Sequence, residues 1–118
     1  MSEKIFINFS NHPSDRWDAL QRKEATLYGR IVDIPFPAVS AYASQDEVIA
    51  LAQLYFDKIM EYHPEAVMCQ GEFTLSFRVT ELLKAAQVPV LAACSERKVK
   101  EVDGRKIVEF EFCQYREY

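Results

Sequence analysis

The stretch Ile5-Phe6-Ile7-Asn8-Phe9-Ser10-Asn11-His12 is an apolar run that ends in a compact polar cluster. Two later stretches have the same form, Val67-Met68-Cys69-Gln70-Gly71-Glu72-Phe73-Thr74 and Val90-Leu91-Ala92-Ala93-Cys94-Ser95-Glu96-Arg97. Each apolar part is typical of a strand, and a helix or turn is expected after each cluster. In an open α/β sheet, ligands bind outside the carboxyl ends of parallel strands, where helix N-termini present N–H groups. The three clusters therefore predict one pocket.

Helical periodicity separates these strands. Ser14 is a suitable N-cap for a first helix from Asp15 to Tyr28, which Gly29 would end. Ser44-Gln45-Asp46-Glu47 is a capping box that predicts a second helix, and Thr74 is a candidate N-cap for a third. The side chains expected to pack the first helix on the sheet are Trp17, Leu20 and Leu27.

The end of the chain predicts an antiparallel hairpin. Asp103-Gly104 is a strong two-residue turn signal between alternating apolar and polar residues. This turn would place Arg97 opposite Phe110, Lys98 opposite Glu109 and Val99 opposite Val108. An arginine on that face should have an anionic partner or a ligand.

The element order is β-α-β-α-β-α-β-β. Right-handed crossovers then give a compact Rossmann-like α/β fold, with a mostly parallel sheet and a C-terminal antiparallel hairpin. The expected boundaries of the strands are about Lys4 to Phe9, Arg30 to Phe36, Ala66 to Cys69, Val88 to Ala93 and Ile107 to Tyr115. A length of 118 residues is that of one domain, so residues 1–118 are assigned to a single unit.

Composition excludes several functional classes. The net charge of -4 argues against binding to duplex nucleic acid, and the sequence contains neither a membrane-spanning stretch nor a signal-peptide pattern. A cytoplasmic protein is expected. The three cysteines lack the spacing of a metal site and are interpreted as buried free thiols. No G-x-G-x-x-G motif is present, so we expect no dinucleotide cofactor. The sequence has only two histidines, no H-E-x-x-H motif and no Cys pair, so we expect no metal.

The first cluster offers hydrogen-bonding groups for a phosphate, a ribose or a base edge through Asn8, Ser10, Asn11 and His12. His12 could also carry a proton near neutral pH. The structural alternative is that Ser10 and Asn11 satisfy backbone groups of a turn while His12 lies in solvent.

The other two clusters also allow two interpretations. Gly71 permits a close backbone approach to a ligand, with Gln70 and Thr74 as neighbouring donors. Glu72 could be a catalytic base or ribose ligand, or only a helix cap. Ser95 and Arg97 suit a phosphate or carboxylate, whereas the alternative is an exposed ribbon with ordinary charge pairs.

The architecture, the first turn Asn8-Phe9-Ser10-Asn11-His12, the loop Gly71-Glu72-Phe73-Thr74 and the terminal hairpin resemble the small CRISPR-associated Rossmann-fold (CARF-like) proteins, which include stand-alone ring nucleases. The resemblance implies a homodimer in antiviral defence that binds a cyclic oligoadenylate and cleaves it without a metal. By that likeness Ser10 and His12 would orient or transfer the proton, and Gly71, Thr74 and Arg97 would hold phosphate charge.

Two further functions remain open at this point. Glu72 could be the nucleophile of a nucleoside N-glycoside-processing enzyme similar to the deoxyribosyltransferases. The chain could also be a non-catalytic ligand-sensing or interaction subunit, for which the run Phe110-Glu111-Phe112 with Tyr115 and Tyr118 is a candidate oligomer surface.

Overall fold

The computed structural model describes residues 3–118. Within this range the strands are β1 (Ile5–Ser10), β2 (Arg30–Pro35), β3 (Ala66–Gln70), β4 (Val90–Val102) and β5 (Arg105–Glu117). The helices are α1 (Ala19–Thr26), α2 (Gln45–Met60) and α3 (Phe73–Ala85), and a short 3₁₀ helix spans Ser14–Arg16. The element order is the predicted one.

The five strands form one sheet in the order β2-β1-β3-β4-β5. β1, β2, β3 and β4 pair in parallel, whereas β4 and β5 are antiparallel. The predicted α/β fold with a mostly parallel sheet and a C-terminal hairpin is therefore confirmed. The strand order reverses between β1 and β3, and in doubly wound folds such a switch point opens a crevice at the carboxyl ends of the strands.

Both faces of the sheet are covered, because β1 and β3 are buried along almost their whole length. One face packs with α1 through a small core of Phe6, Ala25, Ala66, Met68 and Leu91. The larger core lies on the other face, where buried side chains of α2 and α3, including Ile59, Leu75 and Leu83, meet those of the sheet. Among residues 3–118, no helix is long and apolar enough to cross a membrane.

The first helix begins later than the sequence predicted. Residues Ser14–Arg16 form a 3₁₀ turn, and α1 starts only after Asp18, whose carboxylate accepts a hydrogen bond from the backbone N–H of Gln21 at 2.8 Å. Trp17 packs against the sheet as predicted, edge-on to Phe6. Leu20 and Leu27 do not, since they are 44% and 74% exposed. Ala25 is the buried residue of this short helix, because a small side chain allows its backbone to approach the sheet.

α1 ends at Thr26, two residues before the predicted end at Tyr28, and the chain then turns back onto β1 at Gly29. A Cβ at Gly29 would collide with the backbone of Lys4 and Ile5. At the same point the backbone N–H of Arg30 donates to the carbonyl oxygen of Lys4 at 2.9 Å, which begins the pairing of β2 with β1. Only glycine fits where the chain turns back onto β1.

The hairpin projects beyond the sheet. β3 pairs with β4 only at Val67 and Met68, opposite Val90 and Leu91, whereas the β4–β5 ladder continues to the pair Val102 and Arg105. We call residues 95–112 the arm; a register shift between Cys94 and Ser95 marks its base. The radius of gyration is 15.8 Å, against roughly 13.5 Å for a compact domain of this length. The predicted pairs Arg97–Phe110, Lys98–Glu109 and Val99–Val108 are confirmed.

Candidate functional site

A pocket of about 710 Å³ lies at the carboxyl ends of β1 and β3 and beside the middle of β4, on the side of the sheet that α1 covers. We call it the strand-end pocket. The four predicted site residues that line it are Asn11, His12, Gln70 and Ser95. They come from all three polar clusters, because β1 and β3 end side by side and β4 passes next to them before it continues into the arm. No helix or turn directly follows the third cluster, contrary to the prediction, since Ser95 lies inside β4.

Asn8 and Ser10 lie behind this pocket and hold the turn that follows β1. Both are buried. The Nδ2 of Asn8 donates to Asp33 Oδ1 at 3.0 Å and to the carbonyl oxygen of His12 at 2.9 Å. The Ser10 hydroxyl donates to Asn8 Oδ1 at 2.6 Å and accepts from the backbone N–H of His12 at 3.1 Å. Their polar groups are used in fixing the turn, a role that the structural alternative gave to Ser10 and Asn11 but not to Asn8.

His12 is held by its backbone while its side chain is exposed at the pocket. Its carbonyl oxygen accepts from Asn8 and also from the indole N–H of Trp17 at 3.2 Å. The buried network therefore sets the position of the His12 Cα without using the imidazole. An imidazole placed in this way can exchange a proton with a bound molecule.

Gln70 forms part of the floor between β3 and β4. Its Oε1 accepts a hydrogen bond from the backbone N–H of Ala93 at 2.6 Å. This contact anchors the side chain to the strand that leads into Ser95. Gln70 also borders a second and smaller pocket, described below.

Glu72, rather than the predicted Thr74, is the N-cap of α3. Its carboxylate accepts from the backbone N–H groups of Leu75 and Thr74, at 2.8 and 3.0 Å, and from the Thr74 hydroxyl at 2.8 Å. These hydrogen bonds, above all that from Leu75, lower the pKa of Glu72 below its ordinary value of 4.5. The longer glutamate side chain reaches both N–H groups and also occupies the Thr74 hydroxyl. Neither Glu72 nor Thr74 lines the strand-end pocket.

Gly71 is required for packing. A Cβ at this position would lie 2.5 Å from ring atoms of Phe36, which stacks on Phe9. Gly71 borders the smaller pocket, of about 290 Å³, with Phe73, Phe77 and Tyr118. The hydroxyls of Ser76 and Thr80 on α3 are buried there without a hydrogen-bond partner.

Arg97 lies on the arm, directly across from Phe110. Its side chain is exposed, and within residues 3–118 it forms no ion pair with an acidic side chain, contrary to one of the two expectations from the sequence. Phe110 lines the strand-end pocket, so Arg97 stands next to its outer rim. A ligand remains the other expected partner.

The structure adds pocket residues that the sequence reasoning did not propose as ligand contacts. They are Arg16, Trp17, Asp18, Phe110 and Phe112. These residues form one wall of the pocket, built from the start of α1 and from β5. Asp18 links the two elements, because its Oδ2 accepts from the backbone N–H of Phe112 at 3.3 Å while its Oδ1 caps α1. The sequence does contain one signal for the position of this wall. Asp18 and Gln21 are three residues apart, as in a capping box, which indicates a helix start at Asp18.

The pocket thus combines aromatic faces, the Arg16 guanidinium, the Asp18 carboxylate and several neutral hydrogen-bonding groups. Both Asp18 oxygens accept backbone hydrogen bonds, so the guanidinium and the aromatic faces are the groups left for a ligand with an anionic group and a flat ring system. In the part of the chain that the structure describes, no three His, Cys, Asp or Glu side chains lie close enough together to hold a metal ion.

Comparison with known proteins gives one relationship. No curated protein matches the chain at a significant level. Residues 4–116 match a family described as the Uncharacterized protein MJ1673 family. Since this match covers all five strands and all three helices described above, the chain belongs to the Uncharacterized protein MJ1673 family.

Proposed function

We propose that the protein binds a cyclic oligoadenylate in the strand-end pocket and cleaves it without a metal, as a CARF-like ring nuclease in CRISPR-associated defence. The observation that carries the proposal is the meeting of Asn11, His12, Gln70 and Ser95 in one pocket beside a strand-order switch point. This is the part of an open α/β sheet where ligands bind in general.

The size and walls of the pocket suit a nucleotide. Its volume of about 710 Å³ falls within the range of small-molecule sites. Trp17 and Phe110 offer aromatic faces on which an adenine can stack. Arg16 supplies a guanidinium for a phosphate, and Gln70 and Asn11 supply amides for the edge of the base.

His12 is the residue in the pocket that can move a proton near neutral pH. In the proposed reaction a ribose 2′-oxygen attacks the adjacent phosphorus in line, while His12 accepts the 2′-hydroxyl proton. The bond from phosphorus to the 5′-oxygen breaks, and that oxygen leaves with a proton taken from solvent or from protonated His12. The products are a linear fragment with a 2′,3′-cyclic phosphate and a free 5′-hydroxyl. Ser10 acts as a positioning residue, because its hydroxyl holds the backbone N–H of His12.

The N-glycoside alternative has no comparable support. A nucleophilic carboxylate must reach the sugar, but the Glu72 oxygens accept hydrogen bonds from Leu75 and Thr74 and lie outside the strand-end pocket. We therefore assign Glu72 a capping role.

The test is to incubate the purified protein in EDTA with a panel of cyclic oligoadenylates and to follow products by liquid chromatography and binding by thermal shift. His12→Asn is compared with His63→Asn, a change at the exposed His63 after α2, whose φ of 48° asparagine tolerates. Cleavage that is lost in His12→Asn but retained in His63→Asn supports the proposal. Binding without products reduces the function to a sensor, and the absence of any thermal shift refutes it.

A matched pair tests the phosphate contact. Arg16→Gln should weaken binding by about tenfold or more, because a charge-assisted hydrogen bond is lost. Arg116→Gln, at an exposed position of β5 outside the pocket, should leave binding unchanged. Equal effects of the two variants would mean that only the general charge of the protein matters.

A further inference from the structure

The two faces of the arm differ in chemistry. On one face, ion pairs join the strands: Lys98 to Glu111 at 2.7 Å and Lys100 to Glu109 at 3.1 Å. These side chains satisfy one another and face solvent. Val102 and Ile107 also lie on this face, 48% and 42% exposed, so what distinguishes it is the pairing of these four charges within the chain.

The opposite face, which we call the arm face, carries an uncovered apolar centre between unpaired charges. Along β4 its side chains are Arg97, Val99 and Glu101, and along β5 they are Phe110, Val108 and Lys106. Phe110 is 70% exposed, Val99 52% and Val108 43%. Within the described residues, Arg97, Glu101 and Lys106 form no ion pair. The face is continuous with Phe112, which is buried against the start of α1.

The arm face is complementary to a second copy of itself that runs in the opposite direction. A two-fold axis through the Val99–Val108 pair, lying across the ribbon, stacks two arm faces in opposite directions. Residues two positions before the axis on one copy then meet residues two positions after it on the other. Arg97 therefore faces Glu101 of the second copy, and Phe110 faces Lys106 of the second copy. The valines meet at the centre.

We propose that a second copy of this chain covers the arm face in this two-fold arrangement. Opposite charges meet twice, an ammonium lies over an aromatic ring twice, and the exposed valines are removed from water. Two sheets stacked face to face lie about 10 Å apart, which is enough for these side chains to touch. The arm face lies beyond the part of β4 that pairs with β3, so the packing does not compete with the parallel part of the sheet.

The same arrangement completes the strand-end pocket. Phe110 lines the pocket, so Lys106 of the second copy would bring a positive charge to its rim beside Arg97. This step rests on the proposed function, since it matters only if the ligand carries negative charge. The dimer itself does not depend on the ligand.

Charge reversal tests the arrangement. Arg97→Glu places two glutamates against each other at both ends of the contact, and Glu101→Arg does the same with two arginines. Each single variant should sediment as a monomer at concentrations where the wild type is a dimer. The double variant Arg97→Glu/Glu101→Arg restores the opposite charges and should dimerise again. Lys98→Glu, an equal reversal on the ion-paired face, should remain dimeric.

A monomeric wild type at all concentrations overturns the proposal, and so does a double variant that stays monomeric. Circular dichroism verifies that each variant is folded, as expected for changes at exposed residues. A second measurement is independent of charge. With Cys113→Ser as background, Val99→Cys lies on the axis and should be joined to its counterpart by a short bis-maleimide reagent, since stacked sheets lie too far apart for a direct disulfide, whereas Lys98→Cys should not be joined. Equal cross-linking of the two variants contradicts the axis.

The role of the second copy at the pocket is tested separately. Lys106→Gln should weaken binding of the cyclic oligoadenylate several-fold, and Lys100→Gln on the other face should not. If no oligoadenylate binds to the wild type while the Arg97 and Glu101 variants behave as stated, the proposed function fails and the dimer stands. If the ligand binds but the wild type is monomeric, the dimer fails and the function stands.

Discussion

The Asp18 carboxylate accepts a hydrogen bond from the backbone N–H of Phe112, across 94 residues of sequence, at 3.3 Å. Its other oxygen caps α1 through Gln21. One side chain thus ties the start of a helix to the base of the arm, and it does so in the wall of the strand-end pocket. Local capping and the shape of the pocket therefore depend on the same residue.

Asp18→Ala should lower the free energy of unfolding by about 1–2 kcal/mol, because it removes an N-cap and a second hydrogen bond. Asp18→Asn should cost less, since its amide oxygen can keep one of the two contacts. Urea unfolding measures both. Asp15→Ala, in the preceding 3₁₀ turn, is the control and should be nearly neutral. A loss in Asp18→Ala no larger than that of the control would contradict this role.

Glu72 should contribute stability that depends on pH. Its pKa is lower in the folded protein than its ordinary value of 4.5. The folded state therefore favours the ionised form, so the contribution is fully present above pH 4.5 and is lost as the pH falls through the lowered pKa. Glu72→Gln should cost about 1 kcal/mol at pH 7, with a difference from wild type that shrinks below pH 4.5.

Urea titrations at several pH values test this dependence, with the exposed Glu65→Gln as the matched control. Ligand binding should be unchanged in Glu72→Gln. Loss of a base-releasing activity in this variant would instead favour the N-glycoside alternative.

Two glycines should differ in their tolerance of alanine. A Cβ at Gly71 meets the ring of Phe36, a side chain that can move, so Gly71→Ala should cost about 1–3 kcal/mol. A Cβ at Gly29 meets the backbone of Lys4, which also accepts a hydrogen bond from Arg30. Gly29→Ala should therefore be the more destabilising variant by thermal and urea unfolding.

The control for both is Gly104→Asn in the hairpin turn. Gly104 has a φ of 75° with nothing near its Cβ position, and asparagine tolerates this conformation, so the cost should stay below about 1 kcal/mol. A Gly29→Ala variant as stable as Gly104→Asn would show that the chain can separate from β1 at little cost.

The elements that could be predicted are those whose signals are local. The capping box at Ser44 predicts α2 correctly, because its hydroxyl accepts from the backbone N–H of Glu47 at 3.1 Å. Asp103-Gly104 predicts the turn and, through the two-residue loop, the whole register of the arm up to the shift at Ser95. The sheet order is not local, and the sequence did not predict it.

The errors come from contacts between distant parts of the chain. Ser14 lies within a 3₁₀ turn instead of capping a long helix, because Asp18 holds the helix start against Phe112. The three cysteines were all interpreted as buried, yet Cys113 is exposed, since it lies where the register shift disturbs the alternation of β5. Cys69 is buried, and burial raises the pKa of its thiol to about 11.

The residues of the candidate site also differ in whether the sequence could predict them. The polar residues at the ends of β1 and β3 and those that follow the parallel part of β4 could be placed in one pocket, because neighbouring parallel strands run in the same direction. Arg16, Trp17 and Phe110 could not, since their positions follow from how α1 and the arm pack.

Phe110 and Phe112 lie two residues apart in this wall and should behave in opposite ways. Phe112 is 4% exposed and packs on Tyr115 with ring centroids 4.8 Å apart, so Phe112→Ala should destabilise the fold by about 3–5 kcal/mol. Phe110 is 70% exposed, so Phe110→Ala should change the stability of the protomer by less than about 0.5 kcal/mol.

For ligand binding the order should be the opposite: among folded variants, Phe110→Ala should lose more affinity than Phe112→Ala. Removing the Phe110 ring takes away a surface for base stacking, worth about 1–3 kcal/mol, which is roughly a tenfold or larger loss of affinity. Phe110→Tyr keeps the aromatic face and should retain binding. Thermal unfolding and titration with the cyclic oligoadenylate on the same samples measure both effects. Unchanged affinity in Phe110→Ala would place the ligand deeper in the pocket, against Trp17 and away from the arm.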